Sequence, residues 1–229
     1  ISETYIYMNT NLTAAQIPND VAVIHRRLAG RAYEDLMCHQ LPTLQPDDVR
    51  SMVDVTSQYA FRRSTTCMQC HATLDPAAFT YRNFFYNNTG NPDDKGFQTS
   101  VMYRLPDAPT HPIFAALPPD GKLYYRPLLS SSSPVSTSVT GLAELGQGFA
   151  DSRDLYLCAA KKYYRFFTGV DVQLVAPEST NDRYRAFHQN EVIRLGDSLR
   201  SHQSLRQLIQ EILSGPAFKT RDYLRGGSR

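Results

Sequence analysis

The chain has 229 residues, 24 Lys and Arg against 22 Asp and Glu, a formal net charge of +2 and 41% apolar residues. That length buries a core without needing staples, and the near-balance of charge excludes the one-sided basic surface of a nucleic-acid binder, so no nucleic-acid partner is expected. No run of about eighteen apolar residues occurs, which predicts no transmembrane segment in this chain.

The opening ISETYIYM has neither an initiator Met nor the features of a signal peptide, so the chain is expected to be processed or trimmed, with any export signal or anchor outside it. Asp20 is placed to cap a helix carrying Val21, Ile24, Leu28, Leu36 and Met37, which runs into LMCHQLP and is stopped by Pro42. Pro46-Asp47-Asp48 reads as the next helix start, its acidic groups at the positive end of the dipole. The stripe Val49, Met52, Val53, Thr56 and Ala60 predicts one helix that delivers the chain to Cys67. From Asn87 to Pro134 the stretches NNTGNPDDKG, LPDAPTHP, LPPDGK and PLLSSSSP are dense in Pro, Gly, Asn and Ser, a loop-rich middle segment.

The last third reads as helical. In SRDLYLCAAKKYYRFFTG the residues Leu155, Ala159, Tyr163 and Phe166 are expected to share a face, with Gly169 as a left-handed stop. A second helix is expected around Tyr184, Phe187, Val192, Leu195 and Leu199. In SLRQLIQEILSGP, Ser204 and Gln207 form a capping-box pair ahead of Leu205, Leu208, Ile209, Ile212 and Leu213, and Gly215-Pro216 closes the helix. No alternation is long enough for a large sheet, so the class is mainly α.

Cys67-Met68-Gln69-Cys70-His71 is the attachment pattern of a c-type haem. Two thiols add across the two vinyl groups on one porphyrin edge while the adjacent imidazole reaches the iron, so order and spacing are constrained by one rigid ring. Chance gives this pentapeptide on the order of once in five hundred such sequences, which makes it informative. Two other chemistries use C-x-x-C: a redox pair, which wants a βαβ setting absent here, and half a zinc site, for which Cys38-His39 are the remaining ligands available.

CMQCHATLDPAAF followed by RNFF resembles the C-x-x-C-H-x-x-x-D-P-x-x-F…E-N-F signature of large multidomain proteins abundant in planctomycetes and some other bacteria, whose C-terminal modules are cytochrome-like domains of unknown function. RRLAGRAYEDLMCHQLP resembles that family's R-G…L-L-C-x-x-x-P segment, and LYLCAAKKYYRFFTG and LRQLIQEILSGPAF resemble its closing helices. The similarity covers residues 20 to 85 and 150 to 218. Arg82 and Phe85 stand where the family has Glu and Asp around the Asn-Phe pair, Leu74 stands for its Met, and residues 90 to 140 match nothing in it. The resemblance implies an exported bacterial haem protein and carries no reaction with it. Haem attachment takes place outside the cytoplasm, where disulfides persist, and the spare Cys38 and Cys158 match cysteines of the family, so they are expected either to pair or to stand as two buried thiols.

With haem c as the expected cofactor, His71 is the proximal iron ligand and a backbone carbonyl near Asp75-Pro76 is the expected acceptor for its other ring nitrogen. Phe79, Tyr81, Phe84, Phe85 and Tyr86 either wall the porphyrin or belong to the core. The distal position falls to Met102, thirty-one positions after His71, or to His111 between its two prolines, with Met52, Met37 and His39 also open. His25, His188 and His202 are expected on helix surfaces, and Arg62-Arg63 and Lys161-Lys162 as solvated basic spots that steer an acidic redox partner if they flank a haem edge.

The domain expectation is a cytochrome c-like haem domain over 1–145 and a C-terminal helical domain over 146–229 packed on it. The functional expectation is a monohaem electron carrier, periplasmic or otherwise extracytoplasmic, associated with other redox proteins or subunits of a membrane-associated complex. The alternatives are a peroxidase-like haem enzyme or ligand sensor with an open sixth position, and a structural or assembly subunit.

Overall fold

The computed structural model describes residues 17–81, 84–88, 100–104, 119–129, 133–174 and 182–219, with side chains from His25 onward except in the two strands within 84–104. It is mainly helical. Helices α1 (Ile17–Met37), α2 (Pro46–Val49) and α3 (Thr65–Phe79) precede four strands, β1 (Phe84–Asn88), β2 (Ser100–Arg104), β3 (Asp120–Tyr125) and β4 (Val135–Thr140). Helices α4 (Gly141–Asp151), α5 (Arg153–Thr168), α6 (Arg183–His202), α7 (Leu205–Ser214) and α8 (Pro216–Lys219) follow. The strands form two two-stranded sheets, β1 with β2 and β3 with β4, so the loop-rich middle also contains short pairings. Among the described residues no helix is long and apolar enough to cross a membrane.

Two compact units are built from interleaved segments: Ile1–Gly30, Leu44–Tyr124 and Ser136–Gly146 in the first, Arg31–Thr43, Tyr125–Val135 and Gln147–Arg229 in the second. Residues 31–43 and 125–135 therefore belong with the C-terminal helices.

In the first unit α1 begins at Ile17, so Asp20 lies inside the helix and not at its cap. The predicted helix from Pro46 to Cys67 is broken. α2 passes into a 3₁₀ turn, Arg50–Met52, and ends, and a second 3₁₀ turn spans Ala60–Arg63 before α3. The break has a local cause. The Asp54 carboxylate accepts from the Thr56 N–H at 2.9 Å and from its hydroxyl at 2.7 Å, and the Asp54 carbonyl accepts from the Ser57 N–H at 3.1 Å. Such side-chain turns compete directly with helical pairing. A small core of Leu44, Val49, Ala72 and Tyr124, with Met68 against it, packs one side of α3. Gln69 Nε2 donates to the Leu44 carbonyl at 2.9 Å, tying the segment before α2 to α3, and the Tyr124 hydroxyl donates to the Asp48 carbonyl at 2.9 Å, tying β3 to α2. Gly121 lets β3 lie against the end of α3: a Cβ there would stand 2.4 Å from the Pro76 carbonyl oxygen and 2.5 Å from Thr80 Cγ2.

In the second unit the core is Leu157, Ala160 and Tyr164 of α5, Val192, Leu195 and Leu199 of α6, Leu208 and Ile212 of α7, with Val172 and Leu174. Ser152 caps α5 and Gly169, at φ 74°, ends it in the left-handed conformation expected for that glycine. The buried face of α5 differs from the expected one. Asp154, Leu157, Cys158, Ala160 and Tyr164 point inward, and Phe166 is 80% exposed. In α7 the Ser204 hydroxyl accepts from the Gln207 N–H as expected, while the Gln207 side-chain amide donates to Glu211. Gly196 brings α6 close to α5, where a Cβ would lie 2.8 Å from Leu157 Cδ2 and 3.0 Å from its Cα. His188, expected on the surface, is buried and shares a 2.5 Å hydrogen bond with the Tyr164 hydroxyl.

Cys38 and Cys158 are joined in a disulfide within this second unit. Beside it, His39 Nε2 lies 2.8 Å from the Asp154 carboxylate, both side chains buried, and the same carboxylate accepts from the Leu128 N–H at 3.1 Å. Tyr33 and Tyr125 meet the His39 ring edge-on. An anionic group two residues into α5 is favoured by the positive end of that helix.

Candidate functional site

α3 carries the C-x-x-C-H motif. Ser64 caps it, its hydroxyl accepting from the Cys67 N–H at 3.5 Å. Residues 67, 70 and 71 are spaced i, i+3 and i+4, so a helix turns all three to one face. Met68 and Ala72 pack toward Leu44, Val49 and Tyr124, leaving the 67-70-71 face outward. Cys67 is exposed, Cys70 half-buried, and both are free thiols. Partial burial, and then the neighbouring Cys67, push the Cys70 thiol up from its ordinary value. A redox C-x-x-C pair works with the opposite shift.

The His71 imidazole is held on two sides. Its Nδ1 lies 3.1 Å from each Asp75 carboxylate oxygen, and its face stacks on the Phe61 ring at 4.2 Å between centroids and 22° between planes. The acceptor for the second ring nitrogen is thus the Asp75 carboxylate and not a backbone carbonyl near Asp75-Pro76. The helix runs on to Phe79, so the carbonyls of this stretch are directed along the helix. A helical side chain tilts back toward the N-terminus, which brings residue i+4 over the ring.

Asp75 is itself gripped by Arg26 of α1, through Nε–Oδ1 at 2.5 Å and Nη2–Oδ2 at 3.2 Å. The Arg26 guanidinium also stands 5.9 Å over the Phe61 ring. Arg26, Asp75, His71 and Phe61 therefore close a ring of contacts within the first unit. Tyr59, 55% exposed, extends the aromatic run from Phe61, with ring centroids 6.1 Å apart. The aromatic ring shown against the imidazole is that of Phe61, ahead of the motif.

Of the aromatic residues behind the motif, Phe79 ends α3 two turns beyond His71 and is 41% exposed. Tyr81 is buried beside His25, which is likewise buried and not on a surface, and burial pushes its hydroxyl up to about 12. Pro76 sits inside α3, where it removes one N–H from the helical ladder. Phe84, Phe85, Tyr86 and Met102 lie on the antiparallel β1–β2 pair, with Met102 opposite Tyr86 in register. His111 and Arg82 fall outside the described residues.

The other residues left open for iron have these surroundings. Met37 is fully buried and His39 is paired with Asp154 in the second unit, while Met52 is 37% exposed. Cys38 is bonded to Cys158, so Cys38-His39 does not complete a zinc site with the motif cysteines. Among the described residues no group of three or more His, Cys, Asp and Glu side chains is arranged to hold a metal ion alone.

These residues fit a covalently attached haem. Two free thiols are spaced for the two vinyl positions, and the imidazole's Nδ1 is taken by a carboxylate, which leaves Nε2 as the nitrogen for iron. Sequence reasoning found the motif but not Arg26, Phe61 or the role of Asp75. The i+4 spacing of His71 and Asp75 signals that contact once residues 65–79 are read as helix. Nothing local signals Arg26, forty-nine residues upstream of Asp75.

No family model, curated protein or solved structure matches the chain.

Proposed function

We propose that this chain is a monohaem c-type cytochrome that carries electrons outside the cytoplasm as part of a larger bacterial redox assembly. The observation that supports this reading most is the presentation of Cys67, Cys70 and His71 on the outward face of one helix, with both thiols free and the imidazole oriented by Asp75. Cys67 and Cys70 would hold the porphyrin through thioethers and His71 would bind the iron. The haem supplies a one-electron couple. The chain's own contribution is to hold the ring nitrogen in place and to set its charge environment. The Cys38–Cys158 bond suits an oxidising compartment.

A second reading, a peroxidase-like haem enzyme or ligand sensor, draws support from the same carboxylate. A proximal imidazole hydrogen-bonded to an anion is a stronger donor to iron, as suits an open-sided catalytic haem. Visible spectra of the oxidised and reduced protein, with and without carbon monoxide, test the proposal. Electron transfer requires six-coordinate low-spin iron in both states and no response to carbon monoxide. High-spin iron that binds carbon monoxide transfers the case to the second reading, and a colourless chain from haem-attaching cells ends both.

A further inference from the structure

Resting on the haem reading, we propose that Asp75 is the positioning residue for His71 and that Arg26 sets how much negative charge Asp75 presents to it. An ionised carboxylate only accepts hydrogen bonds, and Asp75 faces Nδ1 at 3.1 Å with both oxygens, so the neutral ring carries its proton on Nδ1 and presents a bare Nε2. The Phe61 ring stacks on the imidazole's face and restricts its rotation, and this contact is made on the face of the ring and not at its edge.

Left alone, the carboxylate would pull strongly on the Nδ1 proton and make the ring an electron-rich donor. Here the bidentate guanidinium draws on both of the same oxygens and offsets that pull. Arg26 is held in register by the Phe61 ring beneath it, so one aromatic side chain braces both ends of the relay. The four residues come from α1, the 3₁₀ turn before α3, and α3 itself. The charge environment of the imidazole is thus set by segments outside the motif.

The two charged members act in opposite senses on the haem potential. Asp75→Asn keeps the shape and an accepting oxygen but removes the anion, which disfavours the ferric state and raises the potential. Arg26→Gln removes the offsetting cation, which favours the ferric state and lowers it. Arg26→Lys keeps the charge and returns the potential close to the wild-type value.

The experiment is spectroelectrochemical titration of the haem-loaded chain in these three variants. It is joined by nitrogen-15 spectra of His71 in the chain without haem, where the ring should be the Nδ1–H form in the wild type. Opposite shifts for Asp75→Asn and Arg26→Gln, with recovery in Arg26→Lys, support the proposal. Shifts of the same sign in the first two, or none, overturn it and make the cluster a scaffold only. An Nε2–H ring in the unloaded wild type also overturns it, whatever the potentials. A chain that attaches no haem, yet shows the Nδ1–H ring and loses it in Asp75→Ala, refutes the haem reading while the positioning by Asp75 stands. If Asp75→Asn does not fold, Arg26→Gln against Arg26→Lys still gives the sign of the effect.

Discussion

Removing the Cys38–Cys158 bond, as Cys38→Ser with Cys158→Ala, should destabilise the chain severely. The two cysteines are 120 residues apart in sequence, and closing a loop of that length in the denatured chain is worth about 5 kcal/mol in the chain-entropy model. Cys158 of α5 is fully buried, so alanine there avoids stranding a hydroxyl and leaves a gap of one sulfur atom. Against a typical net stability of about 5–15 kcal/mol, such a loss is a large fraction of the whole. The assay is urea unfolding followed by far-ultraviolet circular dichroism, variant against oxidised wild type. Two changes are expected together: a loss of about 3–5 kcal/mol, and a steeper denaturant dependence because the uncrosslinked denatured chain exposes more surface. A loss under about 1 kcal/mol with an unchanged slope would refute the reasoning, because it would mean that the bond does not constrain the denatured state.

Three further outcomes are expected. Gly121→Ala should cost about 1–3 kcal/mol in the same assay, since its Cβ would overlap the Pro76 carbonyl and Thr80, one of which is backbone and cannot turn aside; a neutral result would mean that β3 does not lie against α3. Burial holds the His188 pKa below its ordinary value of 6.5, so its contribution to stability is full above that pH and is lost as pH falls through the lower folded value. The wild type should therefore lose more stability than His188→Gln between pH 7.5 and 5, and equal losses would contradict the buried neutral ring. Cys67→Ser and Cys70→Ser should each leave at most one thioether, read as a shifted reduced-state band and as lower haem content in intact mass; full retention of doubly attached haem in either would remove that cysteine from the site.

The parts of the fold legible in sequence were those with local causes. Gly169, Ser204 and Gly215 mark helix ends because capping chemistry needs only neighbours in the chain. The buried side of α5 was not legible. Tyr156, Tyr163, Tyr164, Phe166 and Phe167 put aromatic surface around the whole helix, and the inward face is selected by Cys158 and Asp154, whose partners Cys38 and His39 lie far away in sequence. α4 carries little local signal, because Gly141, Gly146 and Gly148 depress helix propensity in an eleven-residue segment in which Leu145 and Phe149, four apart, are nonetheless buried. At the site the motif was plain, since a rigid ring imposes its spacing, whereas the surroundings of the imidazole depend on α1 and on the broken segment after α2. The Asp54 turn that breaks it is made by Asp, Thr and Ser, residue types that favour local turns, although the apolar stripe through Thr56 and Ala60 reads as a continuing helix.

The most direct measurement is the intact mass of the denatured chain after expression in cells that attach haem to C-x-x-C-H proteins. The mass should exceed that of the bare polypeptide by one haem, and the colour should survive acid acetone. The mass of the bare chain, with all colour stripped into the solvent, would contradict the proposed attachment at Cys67 and Cys70.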